Sequence, residues 1–427
     1  MIKTIKYDEL KSIRDGFGRP TSAPVSISAT VAGVIADVIK RGDVALREYT
    51  EKFDGCVLHE FELPMSLIEA ALDEVEPEFA DVMKRAANNI EDFHRHQMPP
   101  GFETPPRDGV ILGQKVIPIR RAGLYVPGGT APYPSTVLMN CIPAKLAGVE
   151  EIIVVTPPSK DGSVNPYILA AAKIAGADRV FALGGAQAIA ALAYGTETVP
   201  RVDKITGPGN AYVAEAKRQV FGVVGIDMIA GPSDILVIAD GGADPRLVAA
   251  DMLSQCEHGE DSPAILVTDS ATLADKVSKE IDIQIAALHR GGIARKAINN
   301  HGMIIVVDSL DQAFEVANEI APEHLEIFLD EPFKYLDKIK NAGSVFLGKN
   351  APEALGDYYA GPNHTLPTSG TARFSSPLSV DDFVKKTSYT YYTKQALFRA
   401  ADDIIKFAEN EGLTAHAHSV RVRVQGL

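Results

Sequence analysis

Only three cysteines occur in 427 residues, Cys56, Cys141 and Cys256, and none forms a C-x-x-C pair. A disulfide framework and a thiolate zinc site are thereby excluded, and reduced, cytoplasmic residence is the expectation. Positive charge is also in deficit. There are 42 Lys and Arg against 56 Asp and Glu, a formal net charge of -14, and no basic block reverses it locally. Such a chain opposes phosphate backbones and anionic lipid surfaces, so no nucleic-acid partner is expected. Long apolar runs are missing too. The opening segment MIKTIKYDELKSIRDGF mixes acids and bases without an apolar stretch, and no run of about 18 apolar residues follows. Neither secretion nor a membrane span is expected.

What is present is the profile of a soluble globular enzyme. Hydrophobic residues make up 46% and charged residues 23%, and the length corresponds to about three domains with a sizeable core. Val31, Val34, Ile35, Val38 and Ile39 recur with helical spacing, and the pattern resumes through Leu46, Tyr49 and Phe53 until Asp54-Gly55 stops it. A second amphipathic helix is predicted from about Glu78 to Phe93, with Val82, Met83, Ala86, Ile90 and Phe93 on one face, before a Pro-Pro-Gly break.

From about residue 120 short β-branched runs alternate with Ala-rich helices. Ala144-Lys-Leu-Ala-Gly-Val-Glu returns 28 residues later as Ala172-Lys-Ile-Ala-Gly-Ala-Asp. Each copy ends a helix on a Gly suited to the left-handed cap and leads into a strand, Ile152–Val155 and then Val180–Leu183. Further strands are predicted at Ile235–Ala239, Ile265–Thr268, Met303–Val307 and Ser344–Leu347. Helical stretches mostly separate them, which predicts a parallel, doubly wound α/β arrangement occurring twice. The tract GPNHTLPTSGTARFSSPLS reads as a linker or an active-site wall. A small tail follows, with a strand over Thr387–Tyr392 and a helix over Lys394–Glu409.

Three segments carry metal-ligand chemistry. Ser254-Gln-Cys-Glu-His-Gly-Glu260, Gly356-Asp-Tyr358 through His364, and Glu411-Gly-Leu-Thr-Ala-His416 offer imidazole and oxygen donors suited to one divalent ion. Gln255 and His258 share a face if helical, a spacing that is equally that of a solvated helix. Glycine-rich turns at Tyr125-Val-Pro-Gly-Gly129, Gly184-Gly-Ala-Gln187 and Gly207-Pro-Gly-Asn210 suit anion binding, or plain tight turns. Tyr212 stands where a dinucleotide fingerprint wants its third Gly. Glu323-His324 follows Pro322, and adjacent side chains serve one site only at a turn or helix start. There an imidazole would abstract a proton and a carboxylate activate water. The remaining His59, His94, His96, His289 and His301 read as surface or locally satisfied groups.

Taken together these segments closely resemble the histidinol dehydrogenase family. The resemblance rests on Gly42-Asp43 with Tyr49-Thr-Glu-Lys-Phe-Asp-Gly55, Gly123-Leu-Tyr-Val-Pro-Gly-Gly129, Gly207-Pro-Gly-Asn210, Ala230-Gly-Pro-Ser233 and Ser254-Gln-Cys-Glu-His-Gly259. Pro322-Glu-His-Leu325, Gly356-Asp-Tyr358, Asn363-His-Thr-Leu-Pro-Thr368 and Glu411-Gly-Leu413 through His416 complete it, spanning nearly the whole chain in order.

The resemblance implies one zinc ion held by Gln255, His258, Asp357 and His416, the last donated by the partner subunit of an intertwined homodimer. It implies NAD against Tyr125, Gln187 and Asn210, and substrate contacts from Ser233, His364 and Glu411 with the zinc ligands and His324. The implied reaction is the NAD-dependent four-electron oxidation of L-histidinol through L-histidinal to L-histidine, the last steps of histidine biosynthesis. His324 would be the base for the alcohol proton and Glu323 the activator of water for the second step. The implied architecture has two Rossmann-like domains, one discontinuous over 21–120 and 234–376, the other over 121–233. An N-terminal arm over 1–20 and a C-terminal dimer-exchange domain over 377–427 complete it. Two departures stand out: Asp234 follows Ser233 where the family usually has Glu, and Cys256 stands where a small residue is common. A sister NAD-dependent dehydrogenase of the same fold acting on another small polyol is the runner-up, kept open by Arg421 and Arg423. A zinc hydrolase using Glu323 lies outside the class, and would leave the glycine turns unexplained.

Overall fold

The computed structural model describes residues 2–10, 25–128 and 132–424. Residues 11–24, which include half of the expected N-terminal arm, and Gly129 of the Tyr125–Gly129 turn lie outside the described residues. Two compact units form, one from the chain up to Gln97 with Ile119–Phe383, the other from Met98–Pro118 with Val384–Leu427.

The first unit contains two wholly parallel sheets. In one, β4 (Arg121–Tyr125), β5 (Glu151–Thr156), β6 (Arg179–Ala182), β7 (Lys204–Thr206) and β8 (Gly225–Ile226) lie in the order β6-β5-β4-β7-β8. In the other, β1 (Lys3–Lys6), β9 (Ile235–Ala239), β10 (Ala264–Thr268), β11 (Met303–Val306), β12 (His324–Phe328) and β13 (Ser344–Leu347) lie in the order β1-β11-β10-β9-β12-β13. Each sheet reverses its strand order beside its first long strand, the doubly wound pattern that the alternating sequence predicts.

Burial on both faces explains why the central strands read as unbroken apolar runs. Along β9, Ile235, Val237 and Ala239 pack on one side with Leu266 and Met252, whereas Leu236 and Ile238 pack on the other with Val267 and Phe314. A strand covered by helices on both faces has no solvent side to mark with polar residues. Each fully buried aliphatic side chain there contributes about 1.5–3 kcal/mol.

The first predicted helical pattern is two helices, Val25–Arg41 and Asp43–Asp54. Gly42 separates them at φ 52, and Glu197 Oε2 accepts the Asp43 N–H at 2.8 Å. Val31, Val34, Ile35 and Val38 are buried as the spacing predicts, while Ile39 and Phe53 stay exposed. The second predicted helix runs Pro77–Arg95 and buries Met83, Ala86 and Ile90, leaving Val82 and Phe93 exposed. The expected left-handed caps are there at Gly148 and Gly176, φ 86 and 74. The Gly/Pro/Ser/Thr tract is a wall of the first unit. Asn363 Nδ2 donates to Met139 O at 2.6 Å, and Thr368 Oγ1 accepts the Gly231 N–H at 2.6 Å.

The second unit is built on β14 (Val384–Tyr392), antiparallel to β3 (Val110–Pro118), which pairs in turn with β2 (Phe102–Glu103). Helices Lys394–Asn410 and Thr414–Val424 follow, so the tail's predicted strand and helix are both present. No helix among the described residues is long and apolar enough to cross a membrane.

Candidate active site

A cavity of about 800 Å³ opens at the carboxyl ends of β4, β5 and β7, lined by Tyr125, Thr156, Gly185, Gln187, Asn210 and Tyr212 among others. This is the crevice where doubly wound sheets receive nucleotides. All three residues implied for the cofactor stand on its wall. Tyr125 ends β4, and its hydroxyl accepts the Gly185 N–H at 3.1 Å. Gln187 is 1% exposed, with both amide atoms buried and without a hydrogen-bond partner. Asn210 caps the helix Ala211–Val220, its Oδ1 accepting from Tyr212 N at 3.0 Å and Val213 N at 3.2 Å. The turn before it is fixed from beneath. Asp227 accepts the Gly207 N–H at 2.8 Å, Lys217 Nζ donates to the Gly207 carbonyl at 2.9 Å, and Lys217 pairs with Asp227 in a fully buried ion pair. Gly207 takes φ 108 against the Tyr125 carbonyl, where a Cβ would collide.

A second cavity, about 1070 Å³, is lined by Ser254, His258, Arg290, Glu353, Asp357 and Tyr358 together with Val82 and Met83 of the Pro77–Arg95 helix. Here His258, Glu353 and Asp357 bring one donor atom each to within 4.8 Å of one another. Gln255 lies in the last turn of the helix Pro245–Cys256, fully buried, its amide atoms both unpartnered. His258 lies just beyond that helix, its N–H returning to the Gln255 carbonyl at 3.2 Å, so the pair caps the helix end instead of sharing a helix face. Burial lowers the His258 imidazole pKa, offset by the Asp357 carboxylate. Burial would raise Asp357, but contacts with His324 and the charge of His364 hold it down to about 2. An imidazole and two carboxylates whose donor atoms converge in this way form a donor set that fits zinc.

Beside this cluster lies the Glu323–His324 pair. His324 opens β12 and Glu323 precedes it, so the pair occupies a bend entering a strand, and the helix-start alternative is corrected. Hydrogen bonding to the adjacent strand explains this: the His324 N–H is taken by the Asp234 carbonyl at 3.2 Å. Both side chains are buried, 4% and 3% exposed. His324 Nδ1 faces the Asp234 carbonyl at 3.2 Å, and Nε2 stands 3.6 Å from Asp357 Oδ1, beyond hydrogen-bond reach. Burial pushes the Glu323 carboxyl up to about 8. Burial opposes the charge on His324, but Glu323 and Asp357 outweigh it and raise the imidazole. The pair sits at the amino ends of the six-stranded sheet, the edge opposite to the one that usually holds ligands.

His364 lies in the wall tract, its Nε2 3.5 Å from Thr136 Oγ1, and burial lowers its pKa. Ser233 immediately precedes Asp234 and β9. Glu411 and His416 belong to the second unit, both exposed, at the end of one helix and within the next. Glu353 was not among the expected residues. Its signal was Glu353-x-x-x-Asp357, two acids one helical turn apart on the stretch Glu353–Tyr358. His94, read as a surface or locally satisfied group, is fully buried, with Nδ1 2.6 Å from Gln97 Oε1. Cys256 is buried, and burial pushes its thiol up to about 12, which keeps it un-ionised and removes it as a nucleophile.

A crevice at the carboxyl ends of a doubly wound sheet, an acid-lined cavity and a buried acid–base pair are the arrangement of an α/β enzyme. Comparison with known proteins is specific. The family model described as histidinol dehydrogenase matches residues 18–424. The histidinol dehydrogenase of Clostridium acetobutylicum is 55% identical over 93% of this chain and 92% of its own, and that of Lactococcus lactis 49% identical over 99% of both. A crystal structure of histidinol dehydrogenase from Elizabethkingia anophelis superposes with TM-score 0.94 at 41% identity, covering 100% of this chain and 98% of that one. The chain belongs to the histidinol dehydrogenase family.

Proposed function

We propose that this chain oxidises L-histidinol through L-histidinal to L-histidine with two equivalents of NAD, as the closing steps of histidine biosynthesis in the cytoplasm. The observation that carries the reading is the approach of His324 to Asp357, 3.6 Å apart, where a buried acid–base pair meets the donor cluster His258, Glu353 and Asp357. Tyr125, Gln187 and Asn210 line a separate crevice suited to NAD. Family membership favours this substrate over another small polyol, and the nucleotide crevice disfavours a zinc hydrolase.

Zinc would be held by Gln255, His258 and Asp357, with His416 supplied by a second copy of the chain in an intertwined homodimer; Glu353 adds a carboxylate to the same cluster. When bound, zinc orients and polarises the amino alcohol, and it carries no redox chemistry. His324 takes the hydroxyl proton while the carbinol carbon gives hydride to NAD, leaving aldehyde, NADH and a proton. Water must then add to give the gem-diol. Glu323, its carboxyl raised to about 8 by burial, exchanges a proton near neutral pH and so suits the activation of that water. A second hydride transfer gives the carboxylate and a second NADH. Ser233, His364 and Glu411 contact the substrate, and Glu411 suits its imidazole and ammonium donors.

For the architecture we propose Rossmann-like domains over 21–120 with 234–376 and over 121–233, an N-terminal arm over 1–20 and an exchange domain over 377–427. Supporting this, β4–β8 fall between residues 121 and 226, and β9–β13 between 235 and 347.

The test is the NADH formed per histidinol consumed by purified protein with zinc, repeated after chelation. Two equivalents that collapse on chelation are expected; no NADH with histidinol would overturn the reading.

A further inference from the structure

Asp54 ends the helix Asp43–Asp54 and is followed by Gly55 in the left-handed conformation, φ 73. A carboxylate in the last turn faces the negative end of the helix dipole, an unfavourable position. It gains no compensation there. Oδ2 is buried without a hydrogen-bond partner, and no cation pairs with Asp54 among the described residues. Asp54 lines the 800 Å³ nucleotide crevice, where among the described residues it is the one acidic side chain on the wall, and Lys160 the one basic. Burial pushes its carboxyl up to about 6, and its charge reaches the Tyr125 phenol. Gln187, on the same wall and 1% exposed, has both amide atoms unpartnered as well. With the Thr156 hydroxyl, likewise buried and unpartnered, three desolvated polar groups face one cavity and await the polar atoms of a ligand.

A carboxylate only accepts, so its partner must donate and must not be anionic. A vicinal diol meets both conditions, presenting two O–H groups to two oxygens, and charge-assisted bonds of this kind are strong. We propose that Asp54 accepts hydrogen bonds from a ribose diol of NAD, resting on the reading above that this crevice holds NAD. If the diol is that of the adenosine ribose, Asp54 also repels the 2′-phosphate of NADP and selects between the two cofactors.

Equilibrium binding of NAD, NADP, AMP and nicotinamide mononucleotide to the full chain and to its Asp54→Asn and Asp54→Ala variants tests this, with circular dichroism to confirm folding. NAD affinity is expected to fall about tenfold or more in Asp54→Ala. A parallel loss for AMP, with NADP gaining on NAD, identifies the adenosine ribose. A parallel loss for the mononucleotide, with NADP falling alongside NAD, identifies the nicotinamide ribose. Unchanged NAD affinity in both folded variants overturns the inference and leaves the NAD reading standing. A wild-type chain that does not bind NAD overturns both.

Discussion

Asp234 and Glu323 hold each other by the backbone. The Asp234 carboxylate accepts the Glu323 N–H at 2.9 Å, and the Glu323 carboxylate accepts the Asp234 N–H at 3.1 Å. This reciprocal clasp joins the entries of β9 and β12, strands whose register pairs Ile235 with His324. Burial raises both acids, Asp234 to about 6 and Glu323 to about 8, and the Asp234 charge adds to the cost of ionising Glu323. The Asp234 N–H thus fixes the rotamer of the group proposed to activate water, and the Asp234 carboxylate fixes its backbone.

Removing the clasp is therefore expected to separate the two oxidations. Asp234→Ala leaves the Glu323 N–H unpaired, a cost of about 1–3 kcal/mol, and loosens the backbone that carries the Glu323 side chain, although the N–H of residue 234 still reaches the Glu323 carboxylate. Oxidation of the aldehyde should slow more than oxidation of the alcohol, while Asp234→Asn, which retains an acceptor, keeps most of the second step. Separate rates with alcohol and aldehyde substrates check this; equal slowing of both steps counts against it.

Glu323→Gln is expected to spare aldehyde formation and block its onward oxidation. The NADH yield per alcohol consumed should drop from two equivalents to one, with the aldehyde trapped by a hydrazine reagent. An unchanged yield would remove Glu323 from the chemistry.

His258→Asn and His416→Asn are each expected to lose zinc and activity together, by about tenfold or more, because neutral imidazole is the stronger of the available ligands. Metal content measured beside turnover is the check. Full zinc and full activity in either variant would sink that ligand assignment.

Asp54→Asn is expected to stabilise the fold at neutral pH. The folded pKa of about 6 lies above the ordinary aspartate value of 3.8, so the folded state still binds a proton that the unfolded chain has released. Wild-type stability consequently falls as pH rises through that window, by on the order of 1 kcal/mol once partial solvent screening is allowed for. The variant lacks this loss, so its melting temperature should draw ahead of the wild type between about pH 4 and 6 and stay ahead above. Identical melting curves across the range would contradict it.

Much of this was legible in the chain. The strands at Ile152–Val155, Val180–Leu183, Ile235–Ala239 and Ile265–Thr268, both helix caps and the doubly wound order follow from short-range patterns. Tyr125, Gln187 and Asn210 come from turns after strands, which the fold carries to one crevice. Asp234 and Glu323 were less accessible: they meet across parallel strands 89 residues apart, and parallel pairing leaves no local mark on either strand. Strand β12 was hidden for the same reason, since Pro322-Glu-His reads locally like a helix start. Glu353 escaped because His258, which completes its cluster with Asp357, arrives from a distant helix end and only the fold gathers them.

All three thiols are buried, at 5% exposure or less. A disulfide-exchange reagent added to the native protein would therefore register opening of the structure and little else, with Cys141 behind the sheet of β4–β8 and Cys256 beside the donor cluster reporting on two regions separately. The chain carries its own three unfolding probes, and a cysteine introduced anywhere on its surface would be the sole fast-reacting site.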